Sequence, residues 1–410
     1  MIERQQAEQL AAVWARRDSE RLGFPCTPVV EEFDLGYLIT SDVSRDARAL
    51  PGDLPTMVVD KETGEVTSWP RLPLSNVEQL FRQRRPTDPR PPRTVDPAGQ
   101  LLRELTRLPT PGAAAHLTLD GRTQVAQGAK GDVELHHHPL VRSYLDRLPP
   151  GHLVRGGERH AEMIAVSDVL HEQDHRRRAD GRSALTLDEA RAVLGRARIE
   201  FFRIREPGDA VGGQTELPCD SCLNFLVHFG VLPWSHLAYT RESHPEPQTV
   251  IEPGRFPDAV GHALMAAGWE NGIFNAALAR GAIAETCEVV GTHHRHEVFP
   301  AAQQALTAFP TILSRRRGPG RDVWISPFAT NPLRGAHSAD TLADFGSVLG
   351  VRLFPMGAER PESIIAVDEL GRIFALDQAG EWFLGPDIDA ALTTLLLGRA
   401  PARVRDDGTW

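Results

Sequence analysis

At 410 residues, with 41% hydrophobic and 24% charged side chains, the chain is too long for one ordinary core and reads as two or three globular domains. Its net charge of −10 lacks the basic footprint of general nucleic-acid affinity, and no apolar run is long enough to span a bilayer. The amphipathic opening MIERQQAEQLAAVWARR is not a secretory signal, so the expected compartment is the cytoplasm, without a membrane partner. Arginine clusters at 84–85, 176–178 and 315–317 read as solvated surface. Of four cysteines, Cys26 and Cys287 stand alone, whereas Cys219 and Cys222 form a Cys-x-x-Cys pair. In a reducing compartment that pair indicates metal or redox chemistry, not a disulfide framework.

Two Pro-rich stretches, Arg82–Gly99 and Glu242–Gly254, resist regular structure and divide the chain. The expected layout is a domain over 1–85, a linker over 86–99, a middle domain over 100–245 and a last domain over 246–410. The first opens with a helix bearing Leu10, Ala11 and Trp14, followed by PTMVVDKETGEVTSW, a hairpin turning at Gly64. In the middle block, AHLTLDG and TQVAQGA are strands joined at Asp120-Gly121. Helices follow from Pro139 and His160, then a strand within Arg196–Glu206, a loop with Gly208, Gly212 and Gly213, a helix after Cys219 and a strand near His236–Thr240. The block is thus an α/β sandwich. The last block shows a helix in Arg255–Trp269 ended by Gly268, a three-stranded meander over Ser363–Gly385 and a closing helix ended by Gly398.

The stretch HAEMIAVSDVLHEQDH, His160 to His175, holds two zinc motifs. His171-Glu172-Gln173-Asp174-His175 has the His-Glu-x-x-His form of zinc proteases, which needs a buried helix on both sides. Here RRRADGR follows, charged and broken by Gly181, so the match reads as the exposed end of a helix buried through Met163, Ile164, Val166, Val169 and Leu170. His160-Ala161-Glu162 has the His-x-Glu form of zinc deaminases, and Pro218-Cys219-Asp220-Ser221-Cys222 supplies the Pro-Cys-x-x-Cys that the same signature requires downstream. The proline is expected to pre-set the first helical turn, and the helix N-terminus to favour thiolates. A thioredoxin-like redox pair is the competing reading of the cysteines; it leaves His160 and Glu162 unexplained. The run His136–His138 precedes Pro139 and reads as an exposed helix entry, not a metal site.

HPLVRSYLDRLP, RHAEMIAVSDVL, IRE and LPCDSCLNFLVHFGV together resemble the YwqJ-like bacterial toxin deaminases of the cytidine deaminase-like superfamily. The resemblance implies zinc held by His160, Cys219 and Cys222, with Glu162 as the acid/base. The helix-like insert Thr186–Leu194 departs from a short cytidine deaminase and bears on substrate access. Phe256-Pro257, Gly268-Trp269, Asp368-Glu369-x-Gly371-Arg372 and the closing helix resemble the SUKH superfamily of toxin-binding immunity proteins, third subfamily. The VVD-x-x-TGEV hairpin after a helix is similar to YrhB-like immunity proteins. The expected fold is therefore α/β multidomain, with a central cytidine deaminase-like α/β/α sandwich between two α+β immunity-type domains.

The implied chemistry is hydrolytic: zinc lowers the pKa of water, and Glu162 moves its proton to the base and then to departing ammonia. The expected substrate is an aminated nucleobase or nucleoside, free or in nucleic acid. The flanks imply toxin or immunity-protein partners. A rival expectation is an intracellular binding protein whose deaminase domain is a captive toxin or decoy, although such a decoy need not keep all four site residues.

Overall fold

The structure, a computed structural model, describes residues 2–43, 54–85, 91–237, 255–269, 275–359 and 363–410. These form two compact units: Met1–Arg107 with Val133–His136 and His171–Ser183, and Leu108–Asp132 with His137–Leu170 and Ala184–Trp410.

In the first unit an antiparallel sheet runs in the order Cys26–Glu32, Gly36–Val43, Thr56–Asp60, Val66–Trp69. Strand alternation sends Tyr37, Ile39 and Val59 to one face, where Ala7, Leu10 and Ala11 of the helix Arg4–Leu22 cover them. Leu38 and Val58 point the other way, against Val77 and Phe81 of the helix Leu74–Arg84. The hairpin expected at Gly64 is present (φ 68°). Asp60 shapes it by accepting the amides of Glu62 and Thr63 at 2.8 and 3.1 Å and pairing with Arg85 at 2.7 Å. The expected linker is corrected at its end. Pro97–Thr106 is a helix, because a proline at the first helical position loses no bond and Asp96 caps the amide of Gly99 at 3.0 Å. Residues 86–90 and the second Pro-rich stretch up to Gly254 lie outside the described residues.

The second unit holds two sheets. The smaller, antiparallel, runs Arg122–Gln127, Gly112–Leu119, Arg198–Ile204, Gly213–Thr215. Asp120 and Gly121, at φ 49° and 79°, make its two-residue turn. The helices Pro139–Leu145 and Asp220–His228, and the helix Ala161–Ala179 as far as Leu170, belong to this part of the chain. The insert is a helix, Leu187–Leu194, with a capping box between Thr186 and Glu189. His236 lies in a 3₁₀ turn, Trp234–Leu237, not a strand, its amide bonded to Pro233 at 3.1 Å; residues 238–240 lie outside the described residues.

The larger sheet is antiparallel in the order Ala402–Val404, Gly380–Gly385, Ile373–Asp377, Ser363–Asp368, Leu353–Glu359, Phe328–Ala329, Leu313–Ser314. Ile365 and Val367 face a core with Val260, Leu264, Leu306 and Leu395, while Ile364 and Phe374 face Leu342 and Phe345 of the helix Ala339–Leu349. The meander and closing helix match their expected places, with Asp387 and Gly398 as caps.

Within this unit the two sheet domains share polar contacts. The helix Ala339–Leu349 takes no cap bond from its own Ser338 side chain. Glu206, just beyond a strand of the smaller sheet, accepts the amides of Asp340 and Thr341 at 3.2 and 2.6 Å instead. Asp220 accepts the indole N–H of Trp324 at 3.0 Å and pairs with Arg317. The run 315–317 is therefore not all solvated surface, because Arg317 is held by a carboxylate of the other domain. Glu206→Ala should cost about 1–2 kcal/mol, the scale of a lost helix cap, measurable as a lower denaturant midpoint of the full chain. An unchanged midpoint would mean that solvent replaces the cap.

Candidate metal and catalytic site

Two helix starts converge in the second unit. His160 ends a 3₁₀ turn in extended backbone (φ −73°, ψ 143°), and the helix Ala161–Ala179 begins at the next residue. Cys219 is the N-cap of the helix Asp220–His228, its sulfur accepting the amide of Cys222 at 3.5 Å. Pro218 therefore lies one residue outside the cap and does not occupy the first helical turn as expected; the extended backbone of Cys219 is what starts the helix. Ser221 ties this turn to the 152–154 loop by accepting the amide of Val154 at 2.7 Å.

The Nδ1 of His160 lies 3.5 Å from the sulfur of Cys219 and 3.4 Å from that of Cys222. All three ligand atoms fall within 4.8 Å of one another and all three residues are buried. Glu162 is buried beside them, its carboxylate 3.3 Å from the Cys222 sulfur. A His–Cys–Cys set of this kind suits zinc, with three protein donors and one position left for water or substrate. The electrostatics agree with a cation between the donors. Burial acts to lower the pKa of His160, but the Cys219 thiolate and Glu162 outweigh it and raise it to about 10. The Cys222 thiol hydrogen bond and His160 hold Cys219 well below the usual thiol range, against burial. Burial and the neighbouring Cys219 push Cys222 well above it. The cluster thus favours positive charge beside the Cys219 thiolate, and a zinc ion would take the place of the protons on His160 and Cys222, since neutral imidazole and thiolate are the ligand forms.

Neither competing histidine motif joins this cluster. Among the described residues no other group of three His, Cys, Asp or Glu side chains is gathered to hold a metal. The ring of His171 bonds the carbonyl of His136 at 2.9 Å. The end of the helix is less exposed than expected: His171 and His175 are half-buried and Asp174 is buried. His138 is also buried, not exposed, because its Nδ1 caps the following helix by accepting the amide of Leu140 at 3.2 Å.

One neighbour of the site has no sequence motif. Gln378, from the turn between Ile373–Asp377 and Gly380–Gly385, places its Nε2 3.0 Å from His160 Nδ1. Its Oε1 accepts the amide of Ala161 at 3.1 Å. Beside it Arg155 is buried against Glu359 and Asp377, each at 2.9 Å. The two carboxylates raise the pKa of Arg155 in spite of burial, so it stays charged.

Three segments match known family models. Residues 5–87 match the Immunity protein 35-like domain, residues 97–231 the YwqJ-like deaminase and residues 256–398 the SUKH-3 immunity protein. No curated protein and no solved structure is similar enough to add to these. No helix among the described residues is long and apolar enough to cross a membrane. The deaminase match contains His160, Glu162, Cys219 and Cys222, and the SUKH-3 match contains Gln378. The chain carries a central deaminase-type domain between two immunity-type domains, in the order its sequence motifs lead one to expect.

Proposed function

We propose that the middle domain is a zinc-dependent hydrolytic deaminase of an aminated nucleobase, free or in nucleic acid, acting in a bacterial toxin–immunity setting within the cytoplasm. The observation that carries this reading is the convergence of His160, Cys219 and Cys222 with the carboxylate of Glu162 in one buried site. Zinc held by the first three would supply a Lewis acid that lets water lose a proton near neutral pH. Glu162 is the group placed to take that proton. It passes the proton to the ring nitrogen while the water oxygen bonds to the amino-bearing carbon, and it then assists protonation of the amino group. The net exchange leaves a ring carbonyl and free ammonia. The backbone amide of Ala161, next to the histidine, donates to Gln378 Oε1 in this structure and could serve a substrate acceptor only in its place.

A second reading, a binding protein that carries a captive toxin domain or a decoy, has support in the two immunity-type flanks. Retention of all four site residues favours an active enzyme.

Metal analysis should give about one zinc per chain, and Cys219→Ser or Cys222→Ser should abolish it, because two remaining protein donors hold zinc poorly. Full zinc in Cys222→Ser would refute the ligand set, whereas His171→Ala should leave the metal content unchanged.

Glu162→Gln preserves shape but cannot accept a proton. Zinc content and thermal midpoint should stay near wild type while ammonia release from nucleosides or oligonucleotides falls about 10²–10⁴-fold. Equal rates in wild type and Glu162→Gln would remove Glu162 from the mechanism.

A further inference from the structure

The turn that carries Gln378 is held as firmly as the site it faces. Asp377 accepts the amide of Ala379 at 2.9 Å and the indole N–H of Trp382 at 3.0 Å with one oxygen, and Arg155 at 2.9 Å with the other. Arg155 also donates to Ser363 Oγ at 3.2 Å. The deaminase domain has two glycines under this turn. A Cβ on Gly128 would stand 2.4 Å from the carbonyl oxygen of Gln378, and one on Gly156 would stand 2.6 Å from the Trp382 ring and 2.7 Å from Ala379 Cβ. Gly156 has a positive φ, but Gly128 does not, so at 128 the close approach itself accounts for the missing side chain.

The Gln378 carbonyl makes a contact that a substrate acceptor would need. Its carboxamide presents a carbonyl and an amino group on one carbon, as an aminated base presents an acceptor beside a nitrogen. The carbonyl takes the Ala161 amide, whereas the amino group lies 3.0 Å from His160 Nδ1, the nitrogen that would bind zinc, and so reaches towards the metal position. Gln378 is itself only 4% exposed. The cavity beside the cluster, lined among others by Val154, Arg155, Trp324 and Gln378, measures about 40 Å³. At roughly 10–15 Å³ for each water it has room for about three waters, not a base.

We propose that the Asp377–Gly380 turn of the SUKH-3-type domain is a built-in stopper of the deaminase-type site, with the Gln378 carbonyl in the place of a substrate acceptor on the Ala161 amide. The full chain is closed as it stands, and substrate enters only when this turn is withdrawn. What the site does when open rests on the deaminase reading above; the closure does not.

The test compares the full chain with Gln378→Ala, with Asp377→Asn, which weakens the Arg155 pairing, and with Leu370→Ala at the preceding, exposed turn of the meander as control. After dialysis against EDTA, peptide mapping follows labelling of Cys219 and Cys222 by N-ethylmaleimide and by the smaller methyl methanethiosulfonate. Cys26 and Cys287 are internal standards. Both stopper variants should label Cys219 and Cys222 with maleimide at least tenfold faster than wild type, with a smaller gain for methyl methanethiosulfonate; Leu370→Ala should match wild type. A mere change in thiol reactivity would raise both reagents alike and overturn the proposal, as would unchanged labelling. Should one variant fail to fold, the other decides by the same criterion. In parallel, the zinc-loaded chains are assayed for ammonia release from cytidine, adenosine and a single-stranded oligonucleotide. Faster labelling with deamination supports both readings. Faster labelling without deamination keeps the stopper and refutes deamination of those substrates.

Discussion

A guanidinium buried inside a protein must find its counter-charge there, and Arg155 finds it in another domain. Glu359 and Asp377 both come from the larger sheet, while Arg155 belongs to the deaminase-type domain. Removing either partner would strand a charge in a low-dielectric environment, so the pairing is costly to break once made and sets the register in which the two domains meet. The position of Gln378 follows from it, since Asp377 is the preceding residue and also shapes the turn. The environment of the His–Cys–Cys cluster thus depends on a charge pair outside it.

The gathering of His160, Glu162, Cys219 and Cys222 was legible because each half of the cluster is local. His160 and Glu162 are two residues apart and Cys219 and Cys222 three, and each pair sits where a helix begins, a place that capping and an apolar run mark in sequence. The meander could be read from its turns at Gly371 and Gly380. The strand Leu353–Glu359 could not: it is mostly buried, so it shows no alternation, and a register shift between Pro355 and Gly357 interrupts it. The helix Ala339–Leu349 was hidden because its cap lies 134 residues away at Glu206. Pro97 misled because a proline that breaks a helix interior is well tolerated at a helix start.

What no motif could reveal is the set of residues that act across the domain boundary. Arg155, Asp377 and Gln378 are ordinary surface residue types in sequence, and only their juxtaposition gives them meaning. Nor do Gly128 and Gly156 stand out among 35 glycines. A family match assigns each segment its type but says nothing of how neighbouring segments fit. In this chain the fit is detailed enough to leave one site nearly filled by another domain's side chain.

The cap that Glu206 gives to the helix Ala339–Leu349 has a thermodynamic side. Parting the domains would leave two helix-start amides without their acceptor, so the immunity-type domain loses stability whenever the deaminase-type domain releases it. Linkage makes that coupling reciprocal: any molecule that favours the separated form of one domain shifts the other by the same free energy. To the extent of these two bonds the two domains are coupled in stability and are not wholly independent modules on a string.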